Sequence, residues 1–139
     1  MSDTLYHYTC SFLLPAILNS GYLALTESNF SFEKPSSFPV VWLTDSPSPD
    51  NMGLLFDAGM PDDLNKTQIR FTLSKRPYMR QWDEWSDANG MNSQQKQILI
   101  AAASAESTYK SWYVSLRPIP LDDVRVIKNI KTGKILCTK

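Results

Sequence analysis

The 139-residue chain contains one histidine, His7, set among aromatic and hydroxyl neighbours as Tyr6-His7-Tyr8-Thr9. An imidazole titrating near neutrality can donate or accept a hydrogen bond or pass a proton. A single histidine cannot build a zinc centre, and the distant Cys10 and Cys137 do not complete one, so no metal is expected. A nucleophilic pair of Cys10 with His7 fails on geometry, because His7 sits in the strand and Cys10, three residues on, lies beyond its end. There is no G-x-S-x-G elbow, no P-loop and no G-x-G-x-x-G fingerprint, which removes the common hydrolase and nucleotide cradles. Taken by itself, His7 reads as a core histidine hydrogen-bonded to backbone.

Three other clusters have residue types that can do work. Trp82 and Trp85, three apart, share one helix face. They either pack over the core edge or form a stacking platform for a base. Asp83 and Glu84 between them read as a solvated face, or as the source of a carboxylate. Lys75, Arg76 and Arg80 around Pro77 read as a solvated loop, or as contacts for phosphate.

The elements that must position these groups follow from local pattern. Leu5–Tyr8 is of strand type, and a helix from Ser11 or Phe12 to Ser20 has Leu13, Leu14, Ile17 and Leu18 at helical spacing. Pro15 falls in its first turn and Gly21 stops it. Tyr22–Leu25, Val40–Leu43 and Thr67–Leu73 read as strands, with a polar loop over 26–38 and a helical turn plus loop over 51–65. Helices are expected over Gln81–Ala88 and Ser93–Ala105. Ser111–Leu116 and Val124–Ile130 follow as strands around a Pro118–Pro120 turn, and Thr132-Gly133 starts a hairpin into Lys134–Cys137. With so few helices between strands, the order fits α+β with a strongly bent or split sheet.

Composition is that of one globular domain spanning 1–139, with 42% hydrophobic and 20% charged residues. No apolar run reaches membrane length and no leader pattern opens the chain, so a cytoplasmic protein without a membrane partner is expected. The cysteines then read as reduced packing thiols, or as a disulfide tying the ends. Formal net charge is zero but uneven: residues 1–66 have two Lys/Arg against eight Asp/Glu, and residues 67–139 have twelve against six. That split either vanishes on folding or leaves a basic face.

LYHYT, a helix closing in ILNSGYL, the strand VVWLTDSP and the closing SWYVSLRPIPLDDVRVI together are similar to the ADP-ribosyltransferase-like superfamily. That superfamily includes RNA 2′-phosphotransferases. The layout also resembles small bacterial and phage proteins with HYT, VVWLTD and PIP segments. The resemblance implies a split-sheet α+β domain that takes NAD and transfers ADP-ribose to a protein or nucleic-acid acceptor. It implies that His7 orients the ribose, with Tyr8 and Thr9 beside the nicotinamide amide. It further implies that Trp42, or else Tyr22, stacks, with Thr44 on ribose or phosphate and Trp112 in the same cleft. Arg70 and Arg117 would then offset the pyrophosphate. The superfamily's closing-strand glutamate is absent here: Lys110-Ser111 precede Trp112, and Glu106, several residues upstream, is the candidate catalytic carboxylate in its place. The alternative is therefore a catalytically silent nucleotide- or protein-binding module on the same fold.

Overall fold

The computed structural model describes residues 3–24, 40–47, 68–88, 97 and 110–138. Strand β1 (Thr4–Thr9) leads into a 3-10 turn (Ser11–Leu13) and helix α1 (Leu14–Ser20). Pro15 lies in the first turn of α1, where no backbone donor is needed. Gly21 ends the helix at φ +80°, its N–H bonded to the Ile17 carbonyl at 3.0 Å. Next come β2 (Tyr22–Leu23), β3 (Val41–Thr44), β4 (Ile69–Ser74), β5 (Met79–Gln81) and helix α2 (Trp82–Ala88). The chain closes with β6 (Trp112–Ser115), β7 (Ile119–Pro120), a 3-10 turn (Leu121–Asp123), β8 (Val124–Asn129) and β9 (Lys134–Thr138).

The architecture is α+β. Seven strands form one sheet in the order β5-β6-β3-β1-β4-β8-β9, every neighbouring pair antiparallel, and β2 with β7 forms a second, two-stranded sheet. Paired residues leave a sheet on the same side. The pairs Leu5↔Leu73, His7↔Phe71 and Phe71↔Ile127 therefore define one face, and Tyr6↔Thr44, Tyr8↔Arg70 and Arg70↔Lys128 the other. The first face holds the main core. Leu5, Val41, Leu43, Ile69, Phe71, Leu73 and Met79 are buried there with Leu23 and Ile119 of the small sheet, and Leu14, Ile17 and Leu121 pack against them.

The large sheet cannot be flat. Between β4 and β5 in space lie β1, β3 and β6, which would separate the two by about 19 Å in a planar sheet. Only residues 75–78 join them, and a turn bond from the Met79 N–H to the Arg76 carbonyl (2.9 Å) shortens that span. A fully extended link of that length reaches roughly 17 Å. The sheet must curl until β4 and β5 approach, with Tyr78 of the link packed on the core. Irregularities at Thr72/Leu73 and Ile127/Lys128 add twist.

Two strands differ from expectation. Residues 79–81 form β5 before the helix begins, although Arg80 and Gln81 give it no apolar alternation. Ile119–Pro120, expected as a turn, pairs with β2; a proline fits such a two-residue edge pairing because no further ladder donor is required. The expected loops over 26–38 and 51–65 lie outside the described residues, as does the expected helix over Ser93–Ala105 apart from Gln97, which is helical. Both cysteines are free thiols: Cys10 is buried as a packing thiol, but Cys137 is exposed on β9.

Gly21 supplies a direct test of the α1–β2 corner. A Cβ there meets nothing within 4 Å, so alanine is opposed only by the left-handed backbone. Gly21→Ala is expected to cost about 1–2 kcal/mol in urea unfolding, and Gly21→Asn less.

Candidate functional site

His7 sits in the central strand, where β1 meets β3. β1 pairs with β4 at six positions but with β3 at one, Tyr6↔Thr44. Beyond that pair a side chain continues the connection: Nδ1 of His7 lies 2.7 Å from the Trp42 carbonyl. A carbonyl only accepts, so Nδ1 carries the proton and Nε2 of the neutral ring is left with its lone pair. The ring packs edge-on against Phe71, with centroids 5.9 Å apart. Burial pushes the imidazole below its ordinary 6.5, and the hydrogen bond to Trp42 opposes this more weakly. His7 is nevertheless half-buried rather than sealed. The ring is thus a fixed, neutral hydrogen-bond acceptor at pH 7.

The residues grouped with His7 by resemblance divide across the sheet. Thr9 shares its face and is buried. Trp42, Thr44 and Trp112 lie on the opposite face, because Thr44 pairs with both Tyr6 and Trp112, and Trp42 stands two residues from Thr44. Of the residues expected around one cleft, Trp42, Thr44 and Trp112 share one face of the sheet and the His7 side chain takes the other. Tyr8 is also on that opposite face, its hydroxyl donating to the Ser46 carbonyl at 3.1 Å, so only its backbone adjoins His7. Tyr22 is half-exposed on the small sheet.

On that opposite face the tryptophans pack with one another. Trp82 and Trp112 centroids are 5.1 Å apart at 68°, Trp42 and Trp112 are 6.1 Å apart at 88°, and Trp42 and Trp82 are 6.4 Å apart. Trp82 is fully buried and Trp85 nearly so, which makes them the anchor of α2 on the sheet. Trp42 keeps a partly open surface. Thr44 is committed to structure: its hydroxyl donates to Ser111 Oγ at 3.4 Å and accepts from the Ser46 N–H at 3.1 Å.

The cations are held separately. Arg70 donates from Nη1 to the Pro47 carbonyl at 2.7 Å and lies 5.3 Å from the Tyr6 ring centroid. Arg117 lies 3.9 Å over Tyr78, whose hydroxyl donates to Asp123, and Arg76 pairs with Asp123 at 3.5 Å. Lys75, Arg76 and Arg80 line an open depression of about 750 Å³ together with Asp3, Glu84 and Tyr113. Lys75 rests 5.0 Å from the Tyr113 ring centroid, and a nearby carboxylate, Asp45, is held above its ordinary range by partial burial. No local sequence signal marks Asp45; its desolvation comes from the packing around it. Glu106 lies outside the described residues. Among those described, no three His, Cys, Asp or Glu side chains cluster to hold a metal, and no helix is long and apolar enough to cross a membrane.

Two measurements check this geometry. As the chain's single histidine, His7 gives one set of ring resonances, and their midpoint is expected below 6.5. The unfolded chain then binds a proton that the folded chain refuses, so His7 lowers stability as pH falls from 6.5 toward the folded midpoint, and not above 6.5. His7→Gln is expected to abolish that component of the pH dependence. Trp82→Ala is expected to cost about 3–5 kcal/mol in chemical denaturation, because it removes the buried anchor of α2.

Set against family models, curated proteins and solved structures, the chain matches none of them, and its function has to be read from its own residues.

Proposed function

We propose that the chain binds NAD⁺ at the β1–β3 seam beside His7 and transfers its ADP-ribose to a protein or nucleic-acid acceptor. The observation that carries this reading is His7: one half-buried imidazole, locked by the Trp42 carbonyl, with Nε2 left as an acceptor. In such a transfer the bond from ribose C1′ to the nicotinamide nitrogen breaks, and the electron pair leaves with nicotinamide, which becomes neutral. The acceptor's nucleophile forms the new bond to C1′ and releases its proton. Positive charge develops on the ribose in between. A neutral Nε2 can accept a hydrogen bond from a ribose hydroxyl, whereas an imidazolium would repel that charge. Burial that keeps the ring neutral therefore suits the task.

In this reading His7 orients the ribose and the adjoining Tyr8 backbone and Thr9 border the nicotinamide end. The ligand-binding roles that the resemblance gave to Trp42, Thr44, Trp112 and Arg70 are not carried over, because those side chains project from the other face. Arg117, occupied on Tyr78, is likewise not assigned to pyrophosphate. Glu106 remains the proposed carboxylate partner.

A second reading, a nucleotide-binding module without catalysis, is favoured by what precedes β6. Lys110 and Ser111 stand there in place of a carboxylate; the Lys110 carbonyl accepts from Gln81 and Ser111 Oγ accepts from Thr44. Calorimetric titration with NAD⁺, followed by assay of nicotinamide release, separates the two. Binding with release supports transfer, binding without release supports the silent module, and no binding overturns both. His7→Ala is expected to weaken binding roughly tenfold, the equivalent of about 1.4 kcal/mol.

A further inference from the structure

On the face opposite His7, Arg70 of β4 and Lys128 of β8 stand directly across from one another. Side chains at paired positions rise on the same side with Cβ atoms about 4.5–5.5 Å apart, and like charges there repel. Neither residue is paired with a carboxylate among the described residues. Both side chains are half-buried, so neither is simply dispersed into solvent. The Arg70 guanidinium is already oriented, by the Pro47 carbonyl at 2.7 Å and by the Tyr6 ring. Its Nε–H is shielded from solvent and finds no acceptor among the described residues.

The surroundings add no compensating acid from the strands beside it. Residues 124–139 contain Arg125, Lys128, Lys131, Lys134 and Lys139 and no Asp or Glu. Tyr8, opposite Arg70 on β1, and Ile135, opposite Lys128 on β9, are uncharged. A planar guanidinium fixed on one edge beside a compact ammonium is an arrangement suited to a tetrahedral oxyanion.

We propose that Arg70 and Lys128 form a phosphate-binding site on this face of the sheet. The sheet separates it from His7, so it does not depend on the NAD⁺ reading. The phosphate can belong to a polynucleotide backbone or to a free phosphate, and binding distinguishes the two.

The test uses the full chain, with labelled oligothymidylate followed by anisotropy and inorganic phosphate followed by calorimetry, each at several salt concentrations. Tighter binding of oligothymidylate identifies a polynucleotide backbone; binding of phosphate alone identifies a free phosphate. Lys128→Gln removes a side chain with no hydrogen bond or ion pair among the described residues, so the fold is expected to survive, as circular dichroism can verify. It is expected to weaken binding, and with oligothymidylate to reduce the slope of log affinity against log salt by about 0.7, the value of one single-strand phosphate contact. Arg70→Gln is expected to do the same, and if that variant does not fold, Lys128→Gln alone decides. Lys75→Gln makes the same charge change beside Tyr113, and is expected to leave binding nearly unchanged. The proposal is overturned if neither ligand binds the wild-type chain, or if Lys75→Gln weakens binding as much as Lys128→Gln.

Discussion

The hydrogen bond from His7 Nδ1 to the Trp42 carbonyl lies at the point where the large sheet is least continuous. On one side of β1 a six-position ladder ties it to β4; on the other a single backbone pair ties it to β3. An imidazole at that seam satisfies a carbonyl that a regular ladder would have paired, and in doing so gives up its own freedom to rotate and to change tautomer. The same contact thus holds two strands together and defines which ring nitrogen carries the proton. A sheet with a complete β1–β3 ladder would have no use for a histidine here and would leave its ring unanchored.

The two faces of the sheet divide the chemistry. The core-side face is apolar apart from His7, Thr9 and a few polar residues near its ends, and two short strands and α1 cover it. The opposite face has the tryptophan cluster over β3 and β6, and tyrosine, arginine and lysine over β1, β4 and β8. Curling of the sheet, enforced by the short link between β4 and β5, encloses the first face. The uneven charge of the two halves of the chain survives folding locally, since the β8–β9 hairpin is wholly basic and no acidic strand lies against it among the described residues.

Much of the fold was legible in the sequence because its signals are local. The aromatic run at Leu5–Tyr8 (inside the observed Thr4–Thr9), Pro15 and Gly21 at the two ends of α1, and Gly133 in the β8–β9 turn each fix their elements by local pattern and backbone sterics. β5 and β7, three and two residues long, have too little pattern to be read and exist because a neighbouring strand pairs with them. The composition of the candidate site was less legible for a sharper reason. His7 and Trp42 were both rightly placed on strands, but which face each side chain takes depends on the parity of the register between β1 and β3. Pairing Tyr6 with Thr44 puts Trp42 and Thr44 away from His7; a slip of one residue would have put them beside it. No single-strand pattern encodes that choice.

The central place of β1 has a consequence for how the chain reaches its folded state. Strand β1, made before its neighbours, is flanked in the sheet by β3 and β4, so its hydrogen-bonding edges stay open until residues 41–44 and 69–74 have been made. The His7 acceptor arrives thirty-five residues later, and β6, which extends the same half of the sheet, more than one hundred residues after β1 begins. Pairings this distant in sequence make for slow closure, and an apolar strand waiting in the open is exposed to wrong partners. The segment that carries the candidate chemistry is therefore made before either of the strands that pair with it.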